Sequence, residues 1–414
     1  MKTFSHISIL ILLALFGAQT VTAQIEEYNR SSLYMLTMLH TKDRMYKDIF
    51  ATMQDMPIPD KYEDNSLNLR IVAAPNAKGK MYASQEQMAA QIGLFLQGNN
   101  VGRRMVARWF ERNREDGSFN TATLVRRGNY NLSEIKKQQG AMTIAGTAFQ
   151  ADADVELIPQ TFVIVNDITY VDKEQNAQIA KAVFQVIGAV ASAFGGSSIS
   201  SLVEQTSKLA ANISDLIAGF TVDVRSYLYQ LEWNEEIANK FYMDYYYEKD
   251  HIDLTKKAAF EADTTTFRMK YLGTYNARSS KTSPRGVHSP SDVFRKVLTR
   301  ATDKNIVELQ REFPVFKVTS VIAGVNKNEA QVYIGLKEGV NASSTYEVLQ
   351  REFKNGKLQY KRVATLKPLE DKIWDNRCMA LEEKAKNADL GFTTFTINTP
   401  TGEVTPGMLV REVR

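Results

Sequence analysis

A single cysteine, Cys378, serves a chain of 414 residues. No intrachain disulfide can form, so the fold must be held by packed apolar cores, which a chain of this length is able to bury. The same count excludes cysteine-based zinc sites and CxxC redox chemistry. Beyond the first 23 residues the histidines are His40, His251 and His288, too far apart for a His-rich metal site, and no cofactor is expected. Length alone suggests two or three domains. Hydrophobic residues make up 44% and charged residues 24%, ordinary globular usage that excludes wholesale disorder and fibrous repeats.

The amino-terminal residues read as an export signal. Lys2 precedes an apolar run, Ile7 to Phe16, that is shorter than a membrane span, and Val21-Thr22-Ala23 fits the small-x-small cleavage rule. A signal peptide over residues 1–23 and a mature start at Gln24 are expected. Removing it leaves 50 basic and 47 acidic residues, a balance of +3. That weak charge gives no case for nucleic acid.

Residues 24–139 read as a helical N-terminal region. Leu33, Leu36 and Leu39, with Met35 and Met38, suggest a first helix that ends at Met56-Pro57-Ile58-Pro59. The methionines read as core packing. Ser84 and Gln87 have capping-box spacing at the start of a second helix. A third, about Val101 to Asn113, buries Met105, Val106, Trp109 and Phe110. Arg104, Arg108 and Arg112 recur beside that face at i, i+4, i+8, as an anion or partner-docking stripe or as a solvated face.

Residues 140–275 read as an α+β domain. Asp152, Asp154 and Glu156 alternate as on one face of a solvated strand, without the spacing of a calcium loop. Thr161 to Tyr170 is a buried strand. Then Val183, Ile187, Val190 and Phe194 step by 4, 3 and 4. After Gly195-Gly196, Ile199, Leu202, Thr206, Leu209, Ile213, Leu216 and Phe220 step alternately by 3 and 4. These are the seams of an αα-hairpin over 179–220. It reads as core, or as an oligomerising or membrane-associated arm. Lys181, Glu204, Lys208 and Asp215 weigh against insertion in lipid. Thr221 to Trp233 and Thr264 to Tyr275 read as strands. Between them Tyr242, Tyr245 and Tyr246 are candidate interface anchors, with core packing as the competing reading.

Residues 276–313 read as a linker, Asn276 to Pro290, followed by helix. From 314 to 414 the pattern becomes short strands, with Asn355-Gly356 as a two-residue hairpin signal. This predicts a small SH3-like β-barrel. The expected fold class is therefore α+β in three parts.

No GxSxG, P-loop, HExxH or GxGxxG motif is present. Ala107-Arg108-Trp109-Phe110, Gly117-Ser118-Phe119, and Arg127-Gly128 with Tyr130 resemble one block of an uncharacterised family of exported envelope proteins of the Bacteroidota. Glu156-Leu157-Ile158 with Thr161 to Asp167 resembles a second block. Ile334 to Val340, Tyr346 to Leu349, Ile373 to Arg377 and Pro406 to Leu409 resemble a third. The resemblance implies export to the periplasm, the outer-membrane periphery or beyond. It implies no catalytic residues. The sequence thus predicts a non-enzymatic envelope protein that binds protein partners or surface components, with oligomers and peripheral membrane contact open. An assembly subunit acting through the 179–220 hairpin and a hydrolase on envelope polymers are the alternatives. The candidate interface is Arg104, Arg108, Arg112, Tyr242, Tyr245 and Tyr246.

Overall fold

The computed structural model describes residues 31–59, 62–74, 84–124, 157–173, 217–284, 288–317, 319–354, 357–377, 380–381 and 384–413. The expected signal peptide, the acidic alternation at 152–156 and nearly all of the expected hairpin lie outside these residues. The fold is mixed α and β, with two sheets.

The first sheet runs β2-β1-β4-β5-β6, with β3 also paired to β1. Its strands are β1 (Ser31–Leu39), β2 (Tyr62–Asp64), β3 (Ile71–Ala73), β4 (Thr161–Asp172), β5 (Ile217–Leu231) and β6 (Met269–Pro284). β1 pairs in parallel with β2, β3 and β4, whereas β4–β5 and β5–β6 are antiparallel. Side chains alternate between two cores. Leu33, Met35, Phe162, Ile164, Val222 and Val224 face α1 (Tyr46–Asp55) and the long α6 (Pro290–Glu312). Tyr34, Leu36, Met38, Val163, Val165, Tyr227 and Tyr229 face α2 (Gln85–Gly98) and α3 (Val101–Trp109). Met35 and Met38 are core residues on opposite faces.

Four sequence expectations are corrected here. The supposed first helix at Leu33–Leu39 is the strand β1. Its first eight residues are all buried, so the leucine spacing of three carries no helical face. Residues 24–139 are therefore not a separate helical region, because β1 lies hydrogen-bonded beside β4 from Ser32↔Thr161 to Met38↔Asp167. The linker expected at Asn276–Pro290 is mostly strand, since β6 pairs with β5 as far as Ile217↔Pro284. Among the described residues it pairs with β5 alone, and a polar edge strand resembles a loop in sequence. Phe220, assigned to the hairpin seam, lies in β5 and packs edge-on against Phe294 at 5.1 Å.

α6 is held by its ends and by a buried polar link. Ser289 caps it and Pro290 opens it. Within the core, Asn305 Nδ2 donates to Ser226 Oγ (2.8 Å), and Ser226 Oγ donates to Asn166 Oδ1 (2.6 Å), tying the helix to β5 and β4. Among the described residues no helix is long and apolar enough to cross a membrane.

The second sheet comprises β7 (Thr319–Asn326), β8 (Glu329–Val332), β9 (Thr345–Lys354), β10 (Lys357–Pro368), β11 (Thr393–Asn398) and β12 (Leu409–Val413). The strands close a ring in the order β10-β11-β8-β7-β12-β9, every pair antiparallel. β9 and β10 meet at Lys354↔Lys357, which leaves the two-residue connection that Asn355-Gly356 predicted. Ile322, Val332, Val348, Leu366 and Phe395 fill the interior. The boundary set at 314 falls slightly early. Phe316 belongs to the first sheet's core, where it stacks on Tyr62 at 5.3 Å and meets Phe162 edge-on at 4.8 Å.

Candidate functional site

The described residues contain no group of three or more His, Cys, Asp or Glu side chains that could hold a metal ion. The most developed surface feature is an aromatic corner beyond the ends of α2 and α3. Ser84 starts α2 with the expected capping box: Gln87 N–H donates to Ser84 Oγ, and the Gln87 side chain accepts from Ser84 N–H. α3 then approaches the chain at Phe267 so closely that a Cβ on Gly102 would lie 2.4 Å from the Phe267 carbonyl oxygen. Only glycine fits there.

Phe110 follows the last turn of α3 and begins a cluster of rings. It lies 4.4 Å from Phe241, which lies 5.1 Å from Phe119 and 5.6 Å from Trp233. Phe260 closes the cluster against Phe119 at 5.1 Å. Most pairs are tilted or edge-to-face, the orientations the ring quadrupole favours. Phe241–Tyr245 forms a π-helical turn after α4 (Glu235–Lys240), with Tyr246 N–H donating to the Phe241 carbonyl at 2.9 Å. This turn sends Phe241 and Tyr245 inward, leaves Tyr242 and Tyr246 half-buried at the rim, and presents Met243 to solvent, 74% exposed. Such turns often accompany functional surfaces.

The six predicted interface residues thus divide. Tyr242 and Tyr246 stand together at the rim, 5.2 Å apart edge-on. Tyr245 is core, only 4% exposed, with its ring against Phe260 and Phe267. The arginine stripe is not one face. Arg104 and Arg108 are exposed on α3, but the helix ends at Trp109 and Glu111 takes a positive φ of 41°, which turns Arg112 away. Arg108 donates to the carbonyls of Asp64 (2.8 Å) and Ser66 (3.2 Å). Arg112 pairs with Glu261 at 2.8 Å and lies over Phe260 and Phe119, 5.1 and 5.7 Å from their centroids. Its charge seals the corner.

Sequence reasoning missed the apolar residues beside the rim. Ile252 and Leu254 are 46% and 72% exposed. They lead into α5 (Leu254–Ala262), whose Lys256 ammonium donates to the carbonyl of Tyr246 at 3.0 Å. Lys256 thus ties the start of α5, with Ile252 and Leu254, to the turn that carries Tyr242, Met243 and Tyr246. The signal was the single Met within a run of tyrosines, where one outward position breaks an otherwise inward pattern.

A second missed feature sits where β1 ends. His40 Nε2 lies 2.7 Å from Asp167 Oδ1, and the Asp167 side chain is 4% exposed. The hydrogen bond to Asp167 holds the imidazole pKa above its ordinary value, against the opposing effect of burial. Nearby Asp43 is also raised, chiefly by burial. Sequence dismissed His40 as a metal ligand and had no means of pairing it with a residue 127 positions away. No protein-family model matches this chain, and no curated protein matches it.

Proposed function

We propose that this chain is a non-enzymatic envelope protein that binds a protein partner through the Tyr242–Met243–Tyr246 rim. The observation that supports this reading is the exposure of Met243, Ile252 and Leu254 beside half-buried tyrosines, on a rigid bed of rings. Aromatic and methionine side chains on a preorganised base are what interface centres use, because little side-chain entropy remains to be lost. Export rests on the leader-like residues 1–23 and on the resemblance to exported envelope proteins of the Bacteroidota. On the same footing we read the closed ring of β7–β12 as a barrel of the SH3-like kind.

The test is affinity purification from native envelopes with wild type and with Met243→Glu. The substituted side chain is solvent-exposed, so melting should stay within about 0.5 kcal/mol of wild type. Proteins retained by wild type and lost from the variant are the expected result. An identical set from both proteins would remove this face from consideration.

A further inference from the structure

On the opposite side of the sheet from the aromatic corner, α6 sorts its residues by chemistry. Phe294, Val297, Leu298, Ala301 and Leu309 enter the core. Arg300, Lys304, Val307, Glu308 and Arg311 recur at i, i+4, i+7, i+8 and i+11 and line the outward face. The closed ring stands against one end of that face and makes it a cleft open to solvent. A Cβ on Gly339 would lie 2.5 Å from Val307 Cγ1, and Gly339 adopts a φ of +79°. Arg311 donates to the Gly339 carbonyl at 3.1 Å. β6 supplies a third wall through Arg278. Together they enclose a cleft of about 520 Å³, within the size range of small-ligand sites.

The cleft lining carries more positive than negative side chains. Arg278, Arg300, Lys304, Arg311, Lys337 and Arg377 line it, against Asp303 and Glu308. Three of the arginines are fixed by carboxylates. Arg278 donates to Asp223 (2.7 Å), Arg311 to Glu308 (3.1 Å), and Arg377 to both oxygens of Asp375 (2.9 and 2.8 Å). A guanidinium has five N–H donors, so each can serve a further acceptor without moving. The ammonium groups of Lys304 and Lys337 contact no carboxylate among the described residues. Val307, Leu336 and Val340 give part of the wall an apolar surface, which strengthens the field of the cations.

We propose that this cleft binds a phosphoryl group. Several oriented guanidinium forks and two free ammonium charges can reach a group with three peripheral oxygens at once, which a single carboxylate cannot exploit as fully. The site is built jointly by α6, β6 and the ring, so its occupant also braces the ring against the first sheet. It lies away from the aromatic rim and does not depend on the partner reading.

Full-length protein is titrated with inorganic pyrophosphate at constant ionic strength by calorimetry. In parallel it is sedimented with phosphatidylcholine vesicles with and without phosphatidic acid, which carries the same group on a lipid. The variants are Lys304→Glu/Lys337→Glu and, as a control on the other face, Arg104→Glu. Pyrophosphate binding that weakens at least about tenfold in the double variant and is unchanged in Arg104→Glu supports a soluble phosphoryl ligand. Sedimentation with phosphatidic acid alone, lost in the double variant, supports a lipid-borne one. Lys337→Gln, which removes one charge without adding another, should give a smaller loss in the same assay and replaces the double variant if that fails to melt like wild type. Binding that is equal in wild type and lysine variants, equal loss in Arg104→Glu, or no binding in either format would overturn the proposal.

Discussion

The two faces of the first sheet are sealed in different ways. One is covered by rings drawn from distant parts of the chain, Phe110 and Phe119 from one segment and Trp233, Phe241, Phe260 and Phe267 from another. Its cations Arg108 and Arg112 are committed to internal acceptors. The other face is covered mainly by α6, a single 23-residue helix that turns Phe294, Val297 and Leu298 inward and Lys304 outward. The first arrangement produces a rigid bed with an apolar rim. The second leaves a helix whose outer side is available to build a cleft. One sheet can therefore carry two surfaces of opposite chemistry without either disturbing the other.

The largest expected effect breaks the ring-sealed face. Phe241 is fully buried and touches Phe110, Phe119, Trp233 and Phe260. Phe241→Ala should cost about 3–5 kcal/mol in urea or thermal unfolding. Leu298→Ala, on the helix-sealed face, should cost about 2–5 kcal/mol. The comparison is sharpened by the double mutants. Phe241→Ala and Phe119→Ala share one cluster and should combine non-additively, whereas Phe241→Ala and Leu298→Ala lie across the sheet and should add. Strong coupling across the sheet would show that the two faces are not independent.

A smaller effect belongs to His40. His40→Ala leaves the buried Asp167 carboxylate without this partner and should cost about 1–3 kcal/mol near neutral pH. The wild type should also show a steeper pH dependence than the variant. The imidazole pKa is raised in the folded state by its bond to Asp167, so the fold holds that proton more tightly than the unfolded chain does. Its contribution is complete below the unfolded value of 6.5 and is lost as pH rises through the raised folded value. Asp43 also has a raised pKa. The charges of Asp43 and His40 act on each other, so the comparison with His40→Ala reports the pair. Denaturant unfolding from about pH 5.5 to about pH 8.5 spans the imidazole range. A wild-type slope equal to that of His40→Ala would reject the assignment.

These two faces also explain what was legible in the sequence. Elements with strong local signals were readable: the capping box at Ser84, the β-branched and aromatic run from Thr161, α6 beyond Ser291, and the short strands of the ring around Asn355-Gly356. β1 was not: like β4 it is buried on both sides and shows no period of two, but it is built from Leu and Met, which favour helix, where β4 has Phe, Val and Ile. β6 failed for a different reason, since an edge strand rich in Ser, Thr, Lys and Arg resembles a loop. The aromatic rim was half legible. Tyr242 and Tyr246 were identified, but Tyr245 turns inward because the π-helical turn changes the spacing that an α-helix would give. The cleft was invisible, since its cations come from β6, α6 and the ring and meet only after the closed sheet has packed on α6.

The smallest effects test whether committed and uncommitted cations truly differ. Arg112 is 14% exposed, pairs with a half-exposed Glu261, and covers two rings. The ion pair is discounted because water reaches Glu261. The two cation–ring contacts contribute about 0.5–1 kcal/mol each at such sites, and the apolar stem covers Phe260 and Phe119 as well. Arg112→Ala should therefore cost about 1–2 kcal/mol. Lys304 is exposed on α6 among other cations, with no carboxylate contact among the described residues. Lys304→Ala removes like-charge repulsion and inserts a better helix former, so stability should change by no more than about 0.5 kcal/mol, if anything upward. Added salt separates the two further. It should raise wild-type stability slightly by screening the cleft, and this rise should shrink in Lys304→Ala while persisting in Arg112→Ala. Equal costs and equal salt responses for both variants would mean that the sheet's two faces use their charges alike, and that the cleft cations are structural.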